Sequence, residues 1–176
     1  MAYYATQLIT GTTAAAALSG SQPIRRPPDI ARGQGDLQAI QGSIVFASGV
    51  NIAINDVIEL AVLPADHILV DWILVNDDFD SATTVTVKAG IMTGAPGDAS
   101  RALATVGVEL LASGATTLQA PAVTRGSVVA SIGAYRLAPA TTDRSIGLGI
   151  VAAPTNPATV RQLDFIMFYR WASYGL

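Results

Sequence analysis

The chain contains no cysteine among its 176 residues, so disulfide frameworks, zinc fingers, iron–sulfur sites and thiol catalysis are excluded. Charge is also scarce: Asp, Glu, Lys and Arg make up 13% of the residues, against about 25% in typical soluble domains. A surface this neutral gives little protection against association. We therefore expect much of it to contact other protein, with an ordinary soluble β-domain of low charge as the alternative.

Basic residues are few and scattered, with a single lysine, Lys88, and one adjacent pair, Arg25 and Arg26. Nucleic-acid binding needs a basic patch or stripe that neutralises phosphates. The net charge is −3 and the sequence has no such stripe, so no nucleic-acid partner is expected.

Long apolar runs are missing from the uncharged segment that precedes Arg25. Polar residues such as Gln7 and Ser19 interrupt its apolar residues, and no basic stretch opens it. It therefore fits neither a signal peptide nor a membrane-spanning helix, which needs about 20 consecutive apolar residues. We expect no membrane partner and no secretion signal.

Residues that could carry catalysis are sparse. The sole histidine, His67, cannot supply a metal triad, and no serine lies in a G-x-S-x-G elbow, so we expect His67 to be structural, at the start of a strand. Asp56 with Glu59, or Glu109 with any aspartate, would be carboxylate pairs for glycoside hydrolysis, but their spacing does not favour it. We predict no catalytic residue, no cofactor, no metal ligand and no enzymatic activity.

An acidic turn contains Asp77, Asp78 and Asp80. Carboxylates two residues apart can converge on a hard cation such as Ca²⁺, but the turn lacks the glycine and the distal glutamate of a helix–loop–helix calcium site. The favoured interpretation is that these aspartates shape and solvate a turn between two strands.

Four aromatic residues, Trp72, Tyr169, Trp171 and Tyr174, allow a sugar-binding platform as one interpretation. Trp72 lies in the most apolar run, which favours the core instead. Trp171 and Tyr174 are the better candidates for a contact between subunits, because burying an aromatic side chain contributes about 1.5–3 kcal/mol.

Strand signals dominate from about Asp36 onward, because β-branched and apolar runs alternate with turn residues. His67–Val75 is almost continuously apolar, which predicts a strand buried on both faces. Residues 99–112 are ambiguous between a short helix and irregular structure, and residues 113–126 are predicted to be loop. The candidate strands are Leu37–Ala47 with a candidate bulge at Gly42, Val57–Leu63, His67–Val75, Thr84–Met92, Ser127–Leu137, Ser145–Ala153 and Leu163–Ala172.

Seven or eight short strands predict an all-β fold, an antiparallel two-sheet β-sandwich of jelly-roll type. Its domain is assigned to residues 36–176. Residues 1–35, rich in proline and small residues, are predicted to be an extended N-terminal arm, with a disordered tail as the alternative. The predicted contacts with a partner or a sister subunit are Tyr3, Tyr4, Leu8, Ile9, Arg25, Arg26, Trp171 and Tyr174.

Parts of the chain resemble a known family. They are the turn Leu63–Ala65 with the apolar strand that follows, the acidic turn described above, and a Thr/Val strand that ends at Gly90–Ile91. These features are similar to those of the capsid decoration, or cement, proteins of tailed bacteriophages and of related virion head proteins. The resemblance covers roughly residues 37–176 in pattern and residues 55–95 in detail.

The resemblance implies a β-sandwich, often a jelly roll or an immunoglobulin-like domain, that assembles as a homo-oligomer, with a trimer favoured. It implies a virion protein, made in the bacterial host cytoplasm, that binds the major capsid protein on the outside of an icosahedral head and stabilises contacts between its subunits. It brings no catalytic residues. The alternatives are a phage tail or baseplate fibre component and a carbohydrate-binding β-sandwich module.

Overall fold

The computed structural model describes residues 3–5, 37–48, 50–98, 102, 105–125, 139–155 and 160–172, with only the backbone of residues 3–5. Their regular structure is almost entirely β, with one 3-10 turn at Thr117–Gln119. The strands are β1 (Tyr3–Ala5), β2 (Gln38–Phe46), β3 (Val57–Leu63), β4 (His67–Asn76), β5 (Thr86–Ile91), β6 (Leu111–Ala115), β7 (Ala122–Arg125), β8 (Arg144–Ala152) and β9 (Arg161–Trp171).

The strands form two sheets that pack face to face. Sheet I has the order β1-β3-β8-β5-β6, and sheet II has the order β2-β9-β4-β7. Neighbouring strands are antiparallel, except that β1 runs parallel to β3. The predicted antiparallel two-sheet β-sandwich is confirmed.

The connections give the sandwich its jelly-roll character. From β2 to β9 the chain changes sheet at every step except from β5 to β6, which are neighbours in sheet I. The result is two four-stranded layers, β3-β8-β5-β6 and β2-β9-β4-β7, which is the arrangement that two interlocked Greek keys produce.

The core lies between the sheets and follows the alternation of β9. Leu163, Phe165, Met167 and Tyr169 are buried, as the period-2 pattern of that segment predicts. Trp72 of β4 is 2% exposed and stacks on Phe165 with ring centroids 6.2 Å apart. Trp72 is therefore a core residue.

Only one face of β4 is fully buried, so the prediction of burial on both faces was wrong. Leu69, Trp72 and Leu74 point into the core, while residues such as Ile73 and Val75 are half-buried on the outer face of sheet II. The reason is that sheet I covers only one side of sheet II. Apolar composition alone could not distinguish the two faces.

The bulges are also elsewhere than expected. Pairing of β2 with β9 is regular through Gly42, which lies opposite Phe165, so the bulge predicted there was wrong. Register shifts occur instead between Glu59 and Ala61 in β3 and between Leu69 and Asp71 in β4.

Residues 113–126 were predicted to be loop, and this was wrong, because they contain the end of β6, the 3-10 turn and β7. These strands are short, and their residues are rich in Gly, Ala and Thr. Pairing with β5 and β4 stabilises them, since their own sequence has little strand preference. The predicted strand Ser127–Leu137 lies outside the described residues.

Part of the long β5–β6 connection packs on the outer face of sheet I. Val57, Met92 and Val106 form a small second cluster there, separate from the main core. The backbone of this connection runs beside β5, with hydrogen bonds from Gly107 N to Ile91 O at 2.9 Å and from Leu110 N to Ala89 O at 3.0 Å. Sheet I therefore has apolar contacts on both sides.

Candidate interaction surfaces

Of the predicted arm, residues 1–35, the structure describes β1 alone. The backbones of Tyr3 and Tyr4 lie opposite Val57 and Ile58 at the edge of sheet I. The remaining predicted contact residues lie outside the described residues. They are Leu8, Ile9, Arg25 and Arg26 of the arm, and Tyr174 near the C-terminus.

Trp171, the last residue of β9, is half-buried. Its ring meets the ring of His67 edge to face, with centroids 5.0 Å apart and an interplanar angle of 88°. His67 also contacts Tyr169 in the same way at 5.3 Å, and its Nδ1 lies 2.7 Å from the carbonyl oxygen of Ala65. His67 is thus the structural residue at the start of β4 that was predicted, and Trp171 has only part of its surface left for a partner.

The acidic turn is organised around Asp80, which is fully buried. One carboxylate oxygen accepts hydrogen bonds from the backbone nitrogens of Thr84 and Val85, at 2.6 and 2.9 Å, and from the Thr84 hydroxyl at 2.5 Å. The other oxygen accepts from Ala82 N at 3.1 Å. The carboxylate therefore shapes the turn.

The two aspartates that precede Asp80 in the chain also accept hydrogen bonds from backbone nitrogens. Asp78 accepts a hydrogen bond from Asp80 N at 2.8 Å, and Asp77 accepts one from Gln162 N at 2.6 Å. This arrangement fits the turn interpretation of the acidic segment. Across the part of the chain that the structure describes, no group of three acidic, histidine or cysteine side chains is placed to hold a metal ion.

The carboxylates considered for acid–base chemistry are bound to backbone, and two of them, Asp56 and Glu59, are buried. Asp56 Oδ2 accepts a hydrogen bond from Ala53 N at 2.9 Å. Glu59 accepts from Gly97 N and from the Ser145 hydroxyl. Glu109 accepts from Ile91 N at 3.0 Å. Each carboxylate thus fixes the position of a chain segment.

The aromatic platform is not assembled. Trp72 and Tyr169 are buried in the core, so two of its four proposed members have no surface for a sugar. Burial raises the pKa of Tyr169 to about 12, because the phenolate would have to form inside the sandwich.

A buried cation, Arg161, is a feature that the sequence analysis missed. Its side chain is 0% exposed, donates to the carbonyl oxygen of Val50, and lies over the rings of Phe79 and Phe46 at 5.4 and 6.0 Å. It joins the β2–β3 connection to the start of β9. The sequence did contain a signal for this burial. Alternate residues of β9 face the core, and residue 161 is on the same face as the core residues 163, 165, 167 and 169.

The edge of β2 is the second feature that was missed. Leu37 and Val45 expose 59% and 41% of their surface, and Ala39 and Gln41 are also exposed. Of the described strands, β2 pairs with β9 alone. Exposed apolar residues on an outer strand that no other described strand covers are typical of a surface that contacts other protein. Within the described ranges, no helix is long and apolar enough to cross a membrane.

Comparison with known proteins was made for sequence and for structure. No family model matches the chain, and no curated protein matches it. Among solved structures, the chain is similar to a chain in the capsid of Ralstonia phage GP4. The identity is 31%, the TM-score is 0.72, and the match covers 96% of this chain and 97% of that one.

A second similar structure comes from the capsid asymmetric unit of cyanophage Pam1. The match has 17% identity and a TM-score of 0.56, and it covers 86% of this chain and 97% of the other. At this identity the likeness concerns the fold alone.

Proposed function

This chain belongs to the family of the Ralstonia phage GP4 capsid protein that it matches, and on that premise we propose that it is a capsid decoration, or cement, protein of a tailed phage. Membership of this family gives it a structural role in the phage virion. In the proposal it binds the outside of an icosahedral head and stabilises contacts between major capsid subunits.

The match to the Ralstonia phage GP4 chain is the observation that supports the proposal most. It extends over nearly the whole length of both chains, so it concerns the complete sandwich rather than a shared fragment. The sequence resemblance to decoration proteins supports the finer assignment independently, because it depends on the turns and strands around residues 55–95.

The internal organisation of the sandwich fits a protein that acts by burying surface. Asp56, Glu59, Asp80 and Glu109 all hold backbone segments in place, so their role is to fix the shape of the sandwich. The low charge of the chain and the exposed apolar residues of β2 favour contacts with other proteins.

The proposed partners are the major capsid protein and further copies of the chain itself, with a trimer favoured. Residues 1–35 are proposed to contact the shell or a sister subunit through Tyr3, Tyr4, Leu8, Ile9, Arg25 and Arg26. Light scattering at micromolar concentration tests the oligomer. A stable monomer would argue strongly against it.

Copy number in purified particles is the primary test of the function. We expect hundreds of copies per particle, measured by quantitative mass spectrometry against the major capsid protein. A handful of copies would assign the protein to the tail or baseplate. Its absence from particles would refute the virion role and revive the carbohydrate-binding alternative.

Truncation tests the arm. Removal of residues 1–35 should weaken trimerisation or head binding and leave the sandwich folded. It also removes β1, so a control that retains β1 is needed: a variant that carries Leu8→Ser and Ile9→Ser. If both variants bind heads as tightly as the intact protein, the arm has no binding role.

A further inference from the structure

The four outer edges of the two sheets differ in how they are protected. In sheet I, the outer strand β1 has three residues, and the outer strand β6 has five, contains Gly114 at φ 90° and pairs with β5 in a shifted register. In sheet II, β7 has only four residues and carries Arg125, paired with Asp71 at 3.0 Å. Short length, irregularity and charge are the usual devices that prevent edge pairing.

The remaining edge, β2, shows none of these devices among the residues that the structure describes. It is nine residues long and pairs in regular register with β9 along its whole length. Residues 37–55 contain no charged residue and no proline. Ala39, Gln41 and Val45 are exposed along the strand. A long, regular and uncharged edge presents unguarded backbone donors and acceptors to a further strand.

We infer that the outer edge of β2, which no other described strand covers, binds an extended segment of the major capsid subunit, which adds to sheet II as a further strand. This inference rests on the proposed function. The main-chain N–H and C=O groups of β2 would supply the affinity, and the small and apolar side chains on either side would select the partner. Because the edge is neutral, the matching segment is uncharged, with small or β-branched residues.

Symmetry favours a different chain over a second copy as the occupant. Pairing of β2 with β2 of another copy would be an isologous, two-fold contact, and such a contact closes a dimer. The proposed trimer needs contacts of another kind. A trimer built through other surfaces would leave the β2 edge available to the shell.

Strand addition already occurs on this side of the sandwich. β2 packs against β3, and the edge of β3 carries β1 as an added parallel strand. The backbone geometry of the sandwich is therefore compatible with an extra strand at an edge near β2. The parallel direction of β1 also shows that an added strand is not restricted to a hairpin neighbour.

The test compares lysine substitutions on the two edges of sheet II. The β2 variant carries Gln41→Lys and Val45→Lys, and a milder variant carries Gln41→Lys alone. The control is Val123→Lys on β7, where the native side chain is 66% exposed. Thermal unfolding and light scattering establish that each variant is folded and has the wild-type oligomeric state.

Binding is measured by co-sedimentation with phage heads that lack this protein. We expect the β2 variant to bind at least about tenfold more weakly than wild type, and the control to bind within about twofold of it. Hydrogen–deuterium exchange provides a second readout: the peptide that covers residues 38–46 should gain protection when wild type binds heads.

The outcomes separate the two proposals. Failure of wild-type protein to bind heads would overturn both the proposed function and this inference. Tight binding by wild type and by both β2 variants, with no new protection of residues 38–46, would overturn this inference alone. Loss of the oligomer in the β2 variants, with head binding retained, would assign the edge to a second copy and overturn it as well.

Discussion

Both carboxylate oxygens of Glu59 lie within hydrogen-bond distance of a single backbone nitrogen, that of Gly97, at 3.2 and 3.1 Å. The same carboxylate accepts the hydroxyl of Ser145 on the neighbouring strand β8. Glu59 is fully buried, so these donors replace water. The side chain ties the β5–β6 connection to the outer face of sheet I.

Loss of this carboxylate should destabilise the sandwich. Glu59→Ala leaves the Gly97 N–H and the Ser145 hydroxyl without their acceptor, so we expect the free energy of unfolding to fall by about 2–4 kcal/mol. Glu59→Gln keeps the volume and one acceptor oxygen and should cost roughly half as much. Urea unfolding measures both. Equal, negligible losses would mean that the connection is held by other contacts.

Tyr169 provides a prediction of increased stability. Its hydroxyl is buried with no hydrogen-bond partner among the described residues, so Tyr169→Phe should raise the free energy of unfolding by about 1 kcal/mol. Denaturant unfolding at neutral pH checks the sign.

The same residue predicts a pH dependence. The folded-state pKa of Tyr169 is about 12 and its ordinary value is 10.0, so below pH 10 the phenol is protonated in both states and contributes no dependence. Between pH 10 and 12 only the unfolded chain ionises, and stability should fall as pH rises. In Tyr169→Phe this part of the alkaline loss should disappear. An unchanged profile would show that the phenol ionises freely in the folded state.

Asp80 distinguishes turn formation from metal binding. Its carboxylate accepts hydrogen bonds from three backbone nitrogens and one hydroxyl, so Asp80→Ala should lower the free energy of unfolding by about 2–4 kcal/mol. A chelator should leave the Tm of the wild-type protein unchanged. A chelator-induced drop in Tm would instead restore the cation interpretation of this turn.

Alanine substitutions at Gly90 and Gly147 distinguish crowding against backbone from crowding against a side chain. A Cβ at Gly90 would lie 2.5 Å from the carbonyl carbon of Gly107 and would also meet the Glu109 carboxylate, whereas a Cβ at Gly147 would meet the side chain of Met92. Backbone moves less readily than a methionine side chain. Gly90→Ala should therefore cost about 2–4 kcal/mol and Gly147→Ala about 1–2 kcal/mol. Parallel thermal unfolding of both variants tests this order.

The central strands could be predicted from the sequence because their side chains alternate strongly. The predicted bounds of β3 agree with the structure, and the buried set of β9 follows the period of 2. The predicted jelly roll is present. It could be predicted because the number and spacing of the strands limit an all-β chain of this length to few architectures. Asp80 was recognised as a turn residue because aspartate between two strands commonly binds nearby backbone N–H groups.

Other features depend on neighbours that the local sequence does not contain. β6 and β7 exist because β5 and β4 provide partners, and their own residues favour loop. The bulges at residues 59–61 and 69–71 adjust register between strands that are distant in sequence. The place of β2 at the edge of the described sheet became visible only when the strand order was known, because a charge-free segment is equally compatible with a central strand.

The position of β9 has a consequence for synthesis. β2 and β4 belong to the same sheet but do not pair with each other, because β9 lies between them. On the ribosome, sheet II therefore has no centre until residues 161–171 have emerged. Until then, β2 and β4 lack the strand that pairs with both of them, so crowded nascent chains are at greatest risk of aggregation just before the last strand is made.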